Sequence, residues 1–253
     1  MTNTQGIQML QISVEMLGRT ETIHPTLVWN DDHVVLVDTG YPGQHSLLVE
    51  AIEGAGIPAD RLTHIVITHQ DLDHIGGLPS LIAANAREIE VLTTAVERPY
   101  IQGEKRLVKL SPEAIDQAVQ GLPPAVPDEW KMKFRFTLEH PPQAQVTSII
   151  AGGDELPYGG GLIVVDTPGH TPGHISLYHQ PSKTLIAADA LIVSDGELYG
   201  PIPALCWDPD LARESIANLT RYNIDSIICY HGGLYQGDCN RRLEALASSP
   251  ERR

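Results

Sequence analysis

Four side chains able to hold a metal ion, His69, Asp71, Asp73 and His74, fall within six consecutive positions, 69–74. They directly follow the apolar run Ile65, Val66 and Ile67, a pattern typical of a central strand. Imidazoles and carboxylates packed together at a strand end are costly to bury without hydrogen-bond partners or a cation. A divalent metal is the simplest such partner, and a solvated polar loop is the plain alternative. The same arrangement recurs three times. His170 and His174 share a repeated Thr-Pro-Gly-His pattern after the apolar stretch 162–165, Asp189 closes the run 185–188, and His231 follows 227–230. Loops at strand ends converge while the strands hold them rigid, so four coincidences of this kind point to one site.

The elements that must position these residues alternate between strand and helix. Strands are expected at 7–16, 26–29 and 34–37, with a hairpin turn at Asn30, Asp31 and Asp32. A helix is expected over 44–54, where Leu47, Leu48, Ala51 and Ile52 recur at helical spacing and Gly54 and Gly56 end it. A strand at 64–67, a short helix at 79–84 and a strand at 88–92 follow. After the second histidine signature come strands at 175–179 and 184–187, a helix at 209–222 and a strand at 226–229. Residues 159–161 form a turn, lacking the strand-helix context of a phosphate loop.

The middle stretch, 94–146, breaks the alternation. It carries seven prolines, both phenylalanines of the protein (Phe134 and Phe136), and Tyr100, Lys105, Arg106 and Trp130. A long insertion of this kind is often a lid or a binding loop. Its aromatic and basic groups would line the substrate entrance or a homodimer contact; a surface subdomain that only pads the fold is the alternative.

Composition narrows the class. The chain of 253 residues is 42% hydrophobic with only two Phe, so its core is Val, Ile, Leu and Ala. No linker divides it, and residues 1–253 read as a single domain. No apolar run reaches the roughly 20 residues of a membrane span, and the N-terminus lacks the pattern of a signal peptide. Three cysteines, Cys206, Cys229 and Cys239, read as reduced cytoplasmic thiols. With 32 acidic against 17 basic residues the net charge is −15, which would repel a phosphate backbone. A small-molecule substrate is therefore expected, with neither nucleic acid nor membrane as partner.

Taken in order, His69, Asp71, Asp73 and His74, then His170, Asp189 and His231, resemble the ligand series of the metallo-β-lactamase superfamily, whose strand-end motif is His-x-His-x-Asp-His. Residues 37–40, with Asp38 at the end of a strand, fit the same pattern, and the resemblance spans nearly the whole chain. It implies an α/β fold, a four-layer αββα sandwich carrying the lid-like insertion. It also implies two divalent metal ions, zinc first, with iron or manganese as alternatives. His69, Asp71 and His170 would hold one ion, Asp73, His74 and His231 the other, and Asp189 would bridge. Asp73 would be catalytic, orienting a metal-bound hydroxide that attacks an ester or lactone carbonyl.

Asp71 departs from the family pattern, which has histidine there. A shorter, anionic ligand at this point either draws the loop inward or weakens the first metal, and it favours harder cations. Flavodiiron oxidoreductases share a carboxylate here, but they normally carry a flavodoxin domain for which this chain has no room. A second-tier, solvent-facing Asp71 beside one metal is the alternative. His174 is expected to brace the site and Asp38 to fix a ligand tautomer. His24, His33, His45, His64, His140 and His179 show no partner pattern. Lactonases of the superfamily usually carry tyrosine where this chain has Ile192, and glyoxalase II relatives have a longer C-terminal extension. Lactone or ester hydrolysis is thus expected first. A thioesterase, an iron-dependent redox enzyme and a non-catalytic metal-binding relative are the rivals.

Overall fold

A computed structural model describes residues 5–16 and 19–248. The first half of the chain contributes strands β1 (Gly6–Met9), β2 (Ile12–Met16), β3 (Arg19–Ile23), β4 (Thr26–Trp29), β5 (Val34–Val37), β6 (His64–Val66), β7 (Glu90–Thr93) and β8 (Ser148–Ile149). The second half contributes β9 (Glu155–Leu156), β10 (Leu162–Asp166), β11 (Ile175–His179), β12 (Thr184–Ala188), β13 (Ile192–Ser194), β14 (Glu197–Tyr199), β15 (Ser226–Cys229) and β16 (Gly233–Tyr235). Helices are α1 (His45–Gly54), α2 (Leu72–Ile75), α3 (Leu78–Ala84), α4 (Arg98–Ile101), α5 (Pro112–Gln120), α6 (Asp128–Glu139), α7 (Pro209–Leu219) and α8 (Cys239–Ala247).

Two six-stranded mixed sheets form among the described residues, one in the order β1-β4-β5-β6-β7-β8, the other β16-β15-β12-β11-β10-β9. Side chains alternate across each strand, so successive residues feed different layers. On β5, Val35 and Val37 face the other sheet, where they meet Val164, Leu177 and Ile186; Val34 and Leu36 face outward onto Leu48 and Ile52 of α1. On β12, Ile186 faces inward while Leu185 and Ala187 pack on Ile216 and Leu219 of α7 and Leu243 of α8. Strands buried on both faces are apolar at nearly every position, which is why they read as near-continuous hydrophobic runs. Three cores result, one between the sheets and one under each helical layer. This is the αββα sandwich that the family resemblance implies.

One local expectation fails. The strand expected over 7–16 is two strands: Leu10 N donates to Pro25 O at 2.8 Å, and the chain then leaves the first sheet to form a separate hairpin of β2 with β3. The alternation of apolar residues changes phase there, from Ile7 and Met9 to Leu10, Ile12, Val14 and Met16, and that adjacent apolar pair at Met9 and Leu10 marks the departure. Residues 94–146 contain three helices, α4, α5 and α6, their periodicity hidden among the prolines in the first turns of α4 and α5. No helix of the described residues is long and apolar enough to cross a membrane.

Candidate metal centre

All seven residues of the ligand series meet at one edge of the sandwich. His69 and Asp71 follow β6, Asp73 and His74 lie on α2, His170 follows β10, Asp189 follows β12 and His231 follows β15. Backbone contacts draw the strand ends together. Ile175 N donates to Thr68 O across the two sheets at 3.2 Å, and Ile23 pairs with His231. The register of β12 against β15 shifts between Ile186 and Ala188, and Ala188 takes a positive φ of 48°. That left-handed turn, unusual for alanine, sits immediately before Asp189 and re-aims its carboxylate. Gly169 has φ +125° just before His170, and a Cβ there would lie 2.1 Å from Ala212 N of α7.

His69, Asp71, His170 and Asp189 form one group, and Asp73, His74 and His231 another, the ligand atoms of each lying within 4.8 Å of one another. Asp189 reaches both groups. Its Oδ2 is 3.2 Å from His170 Nε2 and 3.6 Å from His231 Nε2, and its Oδ1 is 3.3 Å from His74 Nε2. Asp71 turns into the site, with Oδ2 3.4 Å from His69 Nε2 and 3.0 Å from His170 Nε2. Asp73 Oδ2 lies 3.2 Å from His231 Nε2. Donors about 2.0–2.2 Å from a tetrahedral ion are separated by roughly 3.3–3.6 Å from one another. The observed spacings bracket that edge length.

The imidazoles are oriented from behind. Asp38, held at φ +63°, accepts at Oδ1 from Thr68 N and at Oδ2 from Thr68 Oγ1 and His74 Nδ1 (2.9, 2.8 and 2.8 Å). His69 Nδ1 donates to Thr68 Oγ1 at 3.0 Å, the hydroxyl having already given its proton to Asp38. His170 Nδ1 faces Cys206 Sγ at 3.9 Å, while the thiol donates to Ile202 O. In each case the proton sits on Nδ1 and the Nε2 lone pair points into the cluster, the tautomer a metal requires. Three inward atoms, His69 Nε2, His74 Nε2 and Asp189 Oδ1, are buried without any hydrogen-bond partner. Such atoms are costly to leave unmatched. A divalent cation in each group would satisfy them, one at His69 Nε2 and the other at His74 Nε2 with Asp189 Oδ1, and the mixed nitrogen and oxygen donor set suits such ions.

The electrostatics agree. Burial opposes charge on His231, yet Asp189 with Asp73 lifts it to about 10. Burial likewise opposes ionisation of Asp71, but the adjacent His170, His69 and Lys109 hold it well below the usual carboxylate range. Burial together with the adjacent His74 pushes His69 down to about 4. The carboxylates create a field that demands positive charge, and the neutral His69 nitrogen is free to ligate.

Several groups with no signal in the sequence complete the site. Glu97, fully buried, accepts from Gln70 N and Nε2 at one oxygen (3.0 and 2.8 Å) and from Thr171 Oγ1 and Gly173 N at the other (2.8 and 2.7 Å). It clamps the loop bearing His69 and Asp71 to the loop bearing His170. Tyr230 donates its hydroxyl proton to Asp73 O, accepts from Gly40 N and packs on the His74 ring, 3.9 Å between centroids. His174, which the repeated Pro-Gly-His pattern does single out as a brace, accepts from Asp189 N at 3.2 Å. From the 94–146 insertion, Lys109 Nζ reaches Asp71 Oδ2 at 2.5 Å and His170 Nε2 at 2.8 Å.

An αββα sandwich with a binuclear cluster of imidazoles and carboxylates at its edge defines a metal-dependent hydrolase. The chain belongs to the metallo-beta-lactamase superfamily, whose family model matches residues 19–231. It is 26% identical over 209 residues to the probable metallo-hydrolase YflN of Bacillus subtilis, covering 78% of this chain and 75% of that protein. It is also 26% identical over 228 residues to the uncharacterized protein YobT of the same organism, covering 87% of each. Among solved structures it resembles a metallo-beta-lactamase family protein from Thermus thermophilus, with a TM-score of 0.65 at 24% identity, covering 96% of this chain and 78% of that one.

Proposed function

We propose that this hydrolase cleaves small-molecule esters, lactones first among them. The observation that carries the reading is the convergence of four imidazoles and three carboxylates with three buried, partnerless donor atoms between them. His69, Asp71 and His170 would hold one cation, Asp73, His74 and His231 the other, and Asp189 would bridge them. A bound pair of divalent ions supplies an acidified water and a polarised carbonyl. Zinc suits this donor set, and the third carboxylate, Asp71, also admits iron or manganese. Asp73 Oδ2 orients the water and takes its proton, then returns it to the leaving oxygen. Tyr230, bonded to the Asp73 carbonyl, and Asp38, bonded to His74, fix the backbone and ring between which that carboxylate works.

The segment 202–207 favours an apolar acyl group. Trp207 N donates to His170 O at 3.0 Å, and Ile202, Leu205 and Trp207 are exposed beside it. The insertion 94–146, which sends Lys109 into the cluster, acts in this reading as a lid on a single domain. The exposed Met132 and Phe136 of α6 support a homodimer contact as its other use. The acidic surface disfavours nucleic acid, and the free thiols Cys206, Cys229 and Cys239 support a cytoplasmic setting.

Asp73→Asn tests the proposal. It should leave the circular dichroism spectrum unchanged while lowering lactone and ester turnover by about 10²–10⁴-fold. Chelation should abolish turnover and added zinc or manganese restore it. Thioester cleavage without lactone cleavage would shift the assignment to a thioesterase. The carboxylate at Asp71 favours one further reading, an iron-dependent redox enzyme, which would consume oxygen or peroxide and hydrolyse nothing. If no ester, lactone or thioester is turned over above the chelated control, the hydrolytic proposal fails.

A further inference from the structure

Lys109 lies on a segment that the ligand series does not include, yet its ammonium sits inside the first half of the cluster. Its Nζ donates to Asp71 Oδ2 at 2.5 Å and to His170 Nε2 at 2.8 Å, the two atoms that are themselves 3.0 Å apart. The placement is built. Val108 N, one residue earlier, donates to Gln70 Oε1 at 2.7 Å, and Gln70 is in turn held by the buried Glu97. Gln70 stands between His69 and Asp71 in the chain, so the same side chain that fixes the ligand loop fixes the approach of Lys109.

An imidazole Nε2 has a single lone pair, which either accepts a hydrogen bond or ligates a metal. The Lys109 contact and a metal on His170 are therefore mutually exclusive. The second half carries no equivalent among the described residues, whose contacts with Asp73, His74 and His231 include no lysine or arginine. The charge balance follows the same division. Where the family motif has a neutral histidine this chain has Asp71, and the ammonium of Lys109 supplies the compensating positive charge.

We infer that Lys109 is an internal cation occupying the first metal position, which an incoming ion must displace, so that the two halves of the centre load unequally. The inference rests on the reading of Asp71 and His170 as metal ligands. The first equivalent of metal enters among Asp73, His74, His231 and Asp189. The second must break two charge-assisted hydrogen bonds before it reaches His170. Bonds of this kind correspond to about 10–100-fold in affinity.

The test is calorimetric titration of zinc into the full chain, freed of metal by chelation and buffer exchange. The wild type should bind two equivalents, the second at least about tenfold more weakly than the first. Lys109→Met, which keeps the side-chain length without the charge, should tighten the second equivalent by about 10–100-fold and leave the first unchanged. Lys109→Arg retains the cation and should retain the unequal loading. Lys109 is partly exposed on a surface segment, and thermal unfolding of both variants verifies that they fold. Two equivalents of equal affinity in the wild type, or a second equivalent unchanged or weakened in Lys109→Met, would overturn the inference while leaving the metal centre intact. Absence of tight zinc binding in every variant would overturn the metal-centre reading and the inference together.

Discussion

Glu97→Gln isolates the clamp that holds two ligand loops together. The carboxylate has four donors, two on each oxygen: Gln70 N and Nε2 on one, Thr171 Oγ1 and Gly173 N on the other. An amide keeps one oxygen and replaces the other with a donor. The Thr171 hydroxyl can rotate away and the Gln70 amide can turn over, but a backbone N–H cannot, so Gln70 N or Gly173 N is left facing another donor. One buried unmatched donor costs about 1–3 kcal/mol, and each hydrogen bond to a charged acceptor contributes about 1.5–3 kcal/mol. Burial raises the Glu97 carboxyl above its usual range, with the donors from Thr171, Gln70 and Gly173 working against it, so the lower half of that range is appropriate. The expected loss is about 3 kcal/mol, which for a chain of this size lowers Tm by roughly 6–12 °C. Because His69, Asp71 and His170 hang on the clamped loops, kcat/KM should fall by more than about tenfold at a temperature where the variant is still folded. Thermal unfolding by circular dichroism and initial-rate kinetics on the same preparation measure both. A Tm within about 2 °C of the wild type, with unchanged kinetics, would refute the assignment of Glu97 as the clamp.

Two other outcomes follow from the same geometry. His179 is buried, with Nε2 donating to Gly159 O and Nδ1 against Ser182, and burial holds its imidazole below the usual 6.5. Its contribution to stability is complete above pH 6.5 and is lost as pH falls from 6.5 through the lowered folded value, at up to about 1.4 kcal/mol per pH unit; His179→Gln should flatten that part of the Tm-against-pH curve, and an unaltered slope would contradict the linkage. Gly169→Ala would place a Cβ 2.1 Å from Ala212 N at a φ of +125° that L-residues avoid, so the soluble yield and Tm should drop sharply, and a stable, active variant would show that α7 does not press on the His170 loop.

Much of the site is legible in the sequence because metal ligands obey local rules. His69, Asp71, Asp73 and His74 declare themselves by spacing, and His170, Asp189 and His231 by standing where an apolar strand runs out. Burial of β5 and β12 on both faces likewise follows from residue type, since a strand between two cores is apolar at nearly every position. The sequence also isolates Asp71 as the departure from the family motif, although a spacing cannot say which way its carboxylate turns. The sequence also offers His174 and Asp38 as supports, and tertiary structure decided the rest of what surrounds the cluster. Glu97 and Lys109 lie in a proline-rich insertion, 23 and 35 residues beyond His74 (97 − 74 and 109 − 74), and only the folding of that segment across the sheet edge brings them to Gln70, Asp71 and His170. The tautomers of His69 and His74 depend on Asp38, some thirty residues upstream, and the aim of Asp189 on a left-handed Ala188 that no propensity favours. Ligand identity is a property of residue type and strand position. Ligand orientation, charge balance and the cation that shares the first metal position depend on contacts between distant segments, and a one-dimensional pattern carries no record of those.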